Sequence, residues 1–125
     1  MDTRRKILSW EEALSLPPGR LIVVTSTFNP LVAAHVRAIT AVRRRTAGHP
    51  VLVVVTPAEP ELLPARARAE VAAGLRMVDY VLTADHEQTG KLIAALTPPD
   101  ELRLETDDAV RTGQLIDHVR RRQHG

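Results

Sequence analysis

Apolar and polar residues change their spacing along the chain in a regular order. Leu21-Ile22-Val23-Val24-Thr25 is a continuous, largely β-branched run of strand length, and Val51 to Thr56 repeats it. Runs without polar alternation belong to strands buried on both faces. Between them, Ala34 to Thr46 carries Val36, Ile39 and Val42 at helical spacing, with Gly48 as the expected C-cap. These three segments predict a βαβ unit.

The pattern recurs downstream. A proline-punctuated loop from Pro57 to Pro64 leads to a helix from about Ala65 to Leu75 and a strand at Tyr80 to Thr83. Another helix, about Gln88 to Leu96, is stopped by Pro98-Pro99; Leu102 to Glu105 then offers a fourth strand before a last helix from about Val110 to Arg122. Upstream, Ser9 and Glu12 have the capping-box spacing and open a short helix that Pro17-Pro18-Gly19 ends. Strands alternating with helices predict the α/β class: a Rossmann-like three-layer α/β/α sandwich with a short parallel sheet and right-handed crossovers. No repeat or linker divides residues 1–125, so a single domain is expected.

Composition narrows the function classes. The chain is 44% hydrophobic and 26% charged, a globular balance, and Trp10, Phe28 and Tyr80 are its only aromatic residues, so the core must be aliphatic. Stacking platforms for single-stranded nucleic acid need several aromatics on one face, and no nucleic-acid partner is expected. Cysteine is absent, which excludes disulfides, thiolate zinc sites and cysteine nucleophiles. The basic start is followed by an apolar stretch that Glu11 and Glu12 interrupt, and no run approaches the ~20 apolar residues of a membrane span. A cytoplasmic location away from membranes is the expectation. The formal charge of +2 comes from 17 basic against 15 acidic residues, which is not a strong field. The triplets Arg43-Arg44-Arg45 and Arg120-Arg121-Arg122 read as solvated helix ends that complement the dipole.

In open α/β sheets, ligands bind beyond the carboxyl ends of the strands, so the loop after the first strand is the first place for chemistry. It runs from Thr25 to His35. His35 falls in the first turn of the following helix, where free N–H groups and the dipole favour an anion such as phosphate. A histidine there could donate to a phosphate oxygen, although a lone histidine at a helix start is more often a partly buried structural residue. Other motifs are weaker. Thr89-Gly90-Lys91 imitates the end of a P-loop, but Asp85 and Leu92 stand where a glycine and a Ser/Thr are needed. His49, His86, His118 and His124 lack metal-ligand spacing. Asp107-Asp108 suits either Mg²⁺ or the charge of a helix N-terminus, and no metal ligand is assigned.

The segment Ser26-Thr27-Phe28-Asn29-Pro30-Leu31-Val32-Ala33-Ala34-His35 resembles the loop of nucleotidyltransferases with the H-x-G-H signature, in particular glycerol-3-phosphate cytidylyltransferase and the adenylyltransferase domain of heptose-phosphate enzymes. Arg68-Ala69-Glu70-Val71, Leu75-Arg76-Met77-Val78-Asp79-Tyr80-Val81 and the opening Lys6-Ile7-Leu8-Ser9 are similar to further segments of that family, co-linearly to about Asp108. The resemblance implies transfer of a nucleotidyl group from ATP or CTP, with Mg²⁺, to a phosphorylated sugar or alditol with release of pyrophosphate. It implies a catalytic His35 in contact with phosphate. Thr25, Ser26, Thr27, Phe28 and Asn29 would bind the nucleotide, with Arg68, Arg111 and Thr112 as further contacts.

The departures from that pattern change the expectation. Val32 stands at the first signature histidine, Ala34 at its glycine, Asn29 at its aspartate and Ser26 at the glycine ending the strand. Loss of one such donor costs on the order of a hundredfold to a thousandfold in rate. Leu104-Glu105-Thr106-Asp107 occupies the place of a lysine and paired glycines and sets a carboxylate near triphosphate. The reaction is therefore expected to be weakened or lost, and the competing reading is a non-catalytic nucleotide-binding or protein-interaction module on the same fold. The family's fifth strand is also missing, which leaves the fourth strand as an edge and makes a homodimer the expected assembly.

Overall fold

The structure is a computed structural model that describes residues 3–110. Arg111, Thr112 and most of the expected last helix lie outside the described residues. A 3-10 turn (Thr3–Lys6) and helix α1 (Trp10–Leu14) precede β1 (Ile22–Ser26), α2 (Ala33–Arg45), β2 (Val51–Val55), α3 (Ala65–Ala73), β3 (Tyr80–Thr83), α4 (His86–Leu96) and β4 (Asp100–Arg103). Residues 105–110 are again helical. The four strands form one parallel sheet in the order β3-β2-β1-β4. This is a Rossmann-like α/β fold.

Strand parity divides the core. Ile22, Val24, Val51, Val53, Val55 and Val81 face one side, where Ile39 and Val42 of α2 and Ala69, Ala72 and Ala73 of α3 cover them. Val23, Leu52, Val54 and Leu82 face the other, under Ala13 of α1 and Leu92 and Leu96 of α4. Because both faces are apolar, the central strands read as unbroken Val/Ile/Leu runs. Chain direction across the sheet reverses after β3, and the covering helix changes face at the same point, so the two reversals keep the crossover hand the same. β1 is left between β2 and β4, at the switch point where such sheets bind ligands.

Local chemistry sets the element ends. Ser9 and Glu12 form the reciprocal capping box at α1, with Ser9 N–H donating to Glu12 at 2.9 Å and Glu12 N–H to Ser9 Oγ at 3.2 Å. Asp85 and Gln88 do the same for α4, which therefore starts at His86, two residues before the expected position. α3 ends at Ala73, with Gly74 as its C-cap. The C-cap of α2 is Thr46, and Gly48 instead takes the left-handed turn that follows, with φ 88°.

The largest difference lies at β4. The strand occupies Asp100–Arg103 rather than 102–105, and the next helix begins at residue 105 rather than about 110. Asp100 is fixed by Arg45 at 2.9 Å and Thr46 at 2.5 Å, so the ladder on β1 starts there despite its charge. Glu105 and Asp107 then sit in the first turn of a helix, where carboxylates offset the dipole. Among the described residues, no helix is long and apolar enough to cross a membrane.

Candidate functional site

β1 delivers its loop to the carboxyl edge of the sheet. Beyond Ser26 the backbone turns at Phe28 with φ 46°, a left-handed conformation that bulky residues rarely adopt. The Phe28 ring is buried and meets the His35 ring edge-on, with centroids 4.9 Å apart. The N-cap of α2 is Val32, whose side chain can cap nothing; its N–H donates to Nδ1 of His35 at 2.9 Å. That bond leaves Nδ1 without a proton and directs the ring's proton to Nε2.

Nε2 points at a carboxylate. Because β4 lies beside β1, the helix that follows β4 starts against the β1 loop, and its first turn carries Asp108, whose N–H donates to Leu104 O at 2.9 Å. Oδ1 of Asp108 lies 2.5 Å from His35 Nε2. Oδ2 accepts from Ser26 Oγ at 2.5 Å and from Thr27 N–H at 3.0 Å, and Phe28 N–H donates to Ser26 Oγ at 3.2 Å. His35, Ser26 and Asp108 are all buried. Burial raises the pKa of Asp108, but donation from His35, Ser26 and Thr27 outweighs it and holds the carboxyl below its usual value. The backbone and hydroxyl donors of the loop thus converge on an anion that belongs to the protein.

A second carboxylate reinforces the arrangement. Glu105 accepts from Thr25 Oγ1 at 2.9 Å and from Thr56 Oγ1 at 3.3 Å, joining the ends of β1 and β2. Shallow hollows of about 370, 150 and 300 Å³ run along this rim, and each is lined by at least one of Glu59, Glu61, Asp85, Glu105 and Asp108.

The structure brings Thr25, Ser26, Thr27, Phe28 and His35 together, and the Thr25 and Ser26 hydroxyls, the Thr27 and Phe28 N–H groups and His35 Nε2 are all taken up within the protein. Asn29 serves the neighbouring loop: its side chain donates to Pro60 O at 2.8 Å and accepts from Leu62 and Leu63 N–H at 2.8 and 2.9 Å. Arg68 is buried and donates to Leu63, Thr27 and Thr56 carbonyls at 3.0, 2.8 and 2.8 Å, with Glu61 at 3.2 Å. Its guanidinium clips the loops after β1 and β2. Ser26 and His35 both donate to the same carboxylate, so neither serves as the base for the other, as a nucleophilic pair would require.

Sequence reasoning missed Asp108 as the centre of the site. The available signal was the Asp107-Asp108 pair, four residues beyond the strand, at the start of the helix that returns beside β1. No protein-family model matches the chain, and no curated protein is significantly similar to it.

Proposed function

We propose that this chain is a nucleotidyltransferase-like domain that no longer transfers nucleotides and serves as a non-catalytic binding module. The carrying observation is the Asp108 carboxylate, which accepts from Ser26 Oγ, Thr27 N–H and His35 Nε2, the groups expected to meet phosphate. A carboxylate takes charge-assisted hydrogen bonds as a phosphate oxygen does, and a second anion in that place would meet like charge in a poorly screened setting. Val32 in place of a histidine donor supports the same reading.

The residues at the site do not fit a Mg²⁺–triphosphate group. The buried Asp108 carboxylate is taken up by hydrogen-bond donors, and the half-buried Glu105 is held by two hydroxyls, with no cluster of three acidic or histidine ligands among the described residues. No step of a reaction is therefore assigned to Mg²⁺.

The reading is tested by calorimetric titration with MgATP and MgCTP, paired with an assay of pyrophosphate release using sugar and alditol phosphates. The expected result is no saturable binding at millimolar nucleotide and no release above background. Release of pyrophosphate that depends on a phosphorylated acceptor and is abolished by His35→Ala overturns it.

A further inference from the structure

The opposite edge of the sheet, where the strands begin, has different chemistry. Thr40, Arg43 and Arg44 of α2, Ala47 and Gly48 of the following turn, and Arg76 and Met77 before β3 line an open, shallow concavity of about 470 Å³. That volume falls within the ~300–1,000 Å³ usual for small-molecule sites. The lining contains three guanidinium groups and no carboxylate.

The three arginines are not equivalent. Arg43 is fixed, donating to Met77 O at 2.6 Å and to Asp79 Oδ2 at 3.4 Å. Asp79 is itself held by Val51 N–H at 2.8 Å, so the position of this guanidinium is set by the sheet. The Arg44 and Arg76 side chains are exposed, and their guanidinium groups have no hydrogen-bond or ion-pair partner among the described residues. Three cations gathered around one concavity repel one another, and only Arg43 is offset by a neighbouring carboxylate. Met77, Ala47 and the methyl of Thr40 supply apolar surface between them.

We propose that this concavity is a binding site for a small organic phosphate monoester with a compact apolar body. The phosphate lies between Arg44 and Arg76, whose planar forks match phosphate oxygens. Its charge of about −1.5 to −2 at neutral pH suits two uncompensated guanidiniums. The apolar body rests on Met77 and Ala47. This site is at the far end of the strands from Asp108 and does not depend on the reading of that centre.

Phenyl phosphate is the probe, followed by backbone amide shifts during titration of the full chain. The expected result is saturable shifts at Ala47, Gly48 and Met77 at low millimolar concentration or below. Arg44→Ala and Arg76→Ala should each weaken binding about tenfold, while Arg37→Ala, an exposed arginine of α2 outside the lining, leaves it unchanged. Inorganic phosphate and benzoate should bind more weakly, for lack of the apolar body and of the second charge. The proposal is overturned by absence of saturation at ~10 mM, by inorganic phosphate binding as well as phenyl phosphate, or by indifference to both substitutions. Tighter binding of a tetraglutamate peptide than of phenyl phosphate also overturns it, in favour of an acidic protein partner.

Discussion

Nε2 of His35 lies 2.5 Å from Oδ1 of Asp108, joining residues 73 positions apart in the chain. The contact ties the first turn of α2 to the first turn of the helix after β4 and closes the loop between them. Its components are a neutral imidazole, with its tautomer set by Val32 N–H, and an ionised carboxylate supported by Ser26 and Thr27. The pair therefore acts as a structural lock built from groups that suit an anion site.

Removing the carboxylate should destabilise the fold. Asp108→Ala leaves His35 Nε2, Ser26 Oγ and Thr27 N–H without their acceptor, and a loss of about 3 kcal/mol is expected in urea unfolding. His35→Ala should cost a similar amount, and the double variant less than the sum, because each single change removes the same contact. Strict additivity would mean that the two residues stabilise the fold independently.

Acid should unlock the site. The carboxyl of Asp108 is held below its usual value in the folded chain, so its contribution is fully present above the unfolded value of about 4 and is lost as pH falls through the folded one. Asp100, held down by Arg45 and Thr46, acts in the same direction. Unfolding free energy measured from pH 6 down to pH 2 should decline below about pH 4. Asp108→Asn should flatten part of that decline while lowering stability at pH 6.

Arg68 should resist conservative replacement. Its guanidinium serves three carbonyl groups on two loops, a geometry that a lysine ammonium does not reproduce. Arg68→Lys is expected to cost about 3 kcal/mol, read as a shift of the thermal midpoint. An unchanged midpoint would show that the clip contributes little.

A histidine placed at position 32 should not by itself confer nucleotide affinity. Val32→His leaves Asp108 in place, and titration with MgATP or MgCTP should show no saturation. Combined with Asp108→Gly, which frees the loop donors, affinity should rise at least tenfold over Val32→His alone. Equal behaviour of the single variant and of a double variant whose amide spectrum shows it folded would remove Asp108 as the obstacle.

The fold was legible in the sequence wherever the pattern was local. The unbroken Leu21–Thr25 and Val51–Val55 runs announced doubly covered strands, and Ser9 with Glu12 announced α1. β4 was harder, because Asp100-Glu101 reads as loop and becomes strand only when Arg45 and Thr46 reach it from 55 and 54 residues away. The site divided in the same way. His35 and the β1 loop followed from position at a strand end and a helix start. Asp108 did not, since an acidic residue in a helix's first turn ordinarily faces water, and its convergence on Ser26 follows only from β4 lying beside β1.

Whether the Asp108 carboxylate holds the place of a bound anion can be read by nuclear magnetic resonance on the unmodified chain. The Thr27 amide and the His35 ring report the two sides of the carboxylate and can be followed as MgATP or MgCTP is added to millimolar concentration. Neither signal should move. Saturable shifts of both, matched by exposure of the Asp108 carboxyl to titration in the ordinary range, would overturn that reading, because nucleotide phosphate would then be displacing Asp108 from its donors.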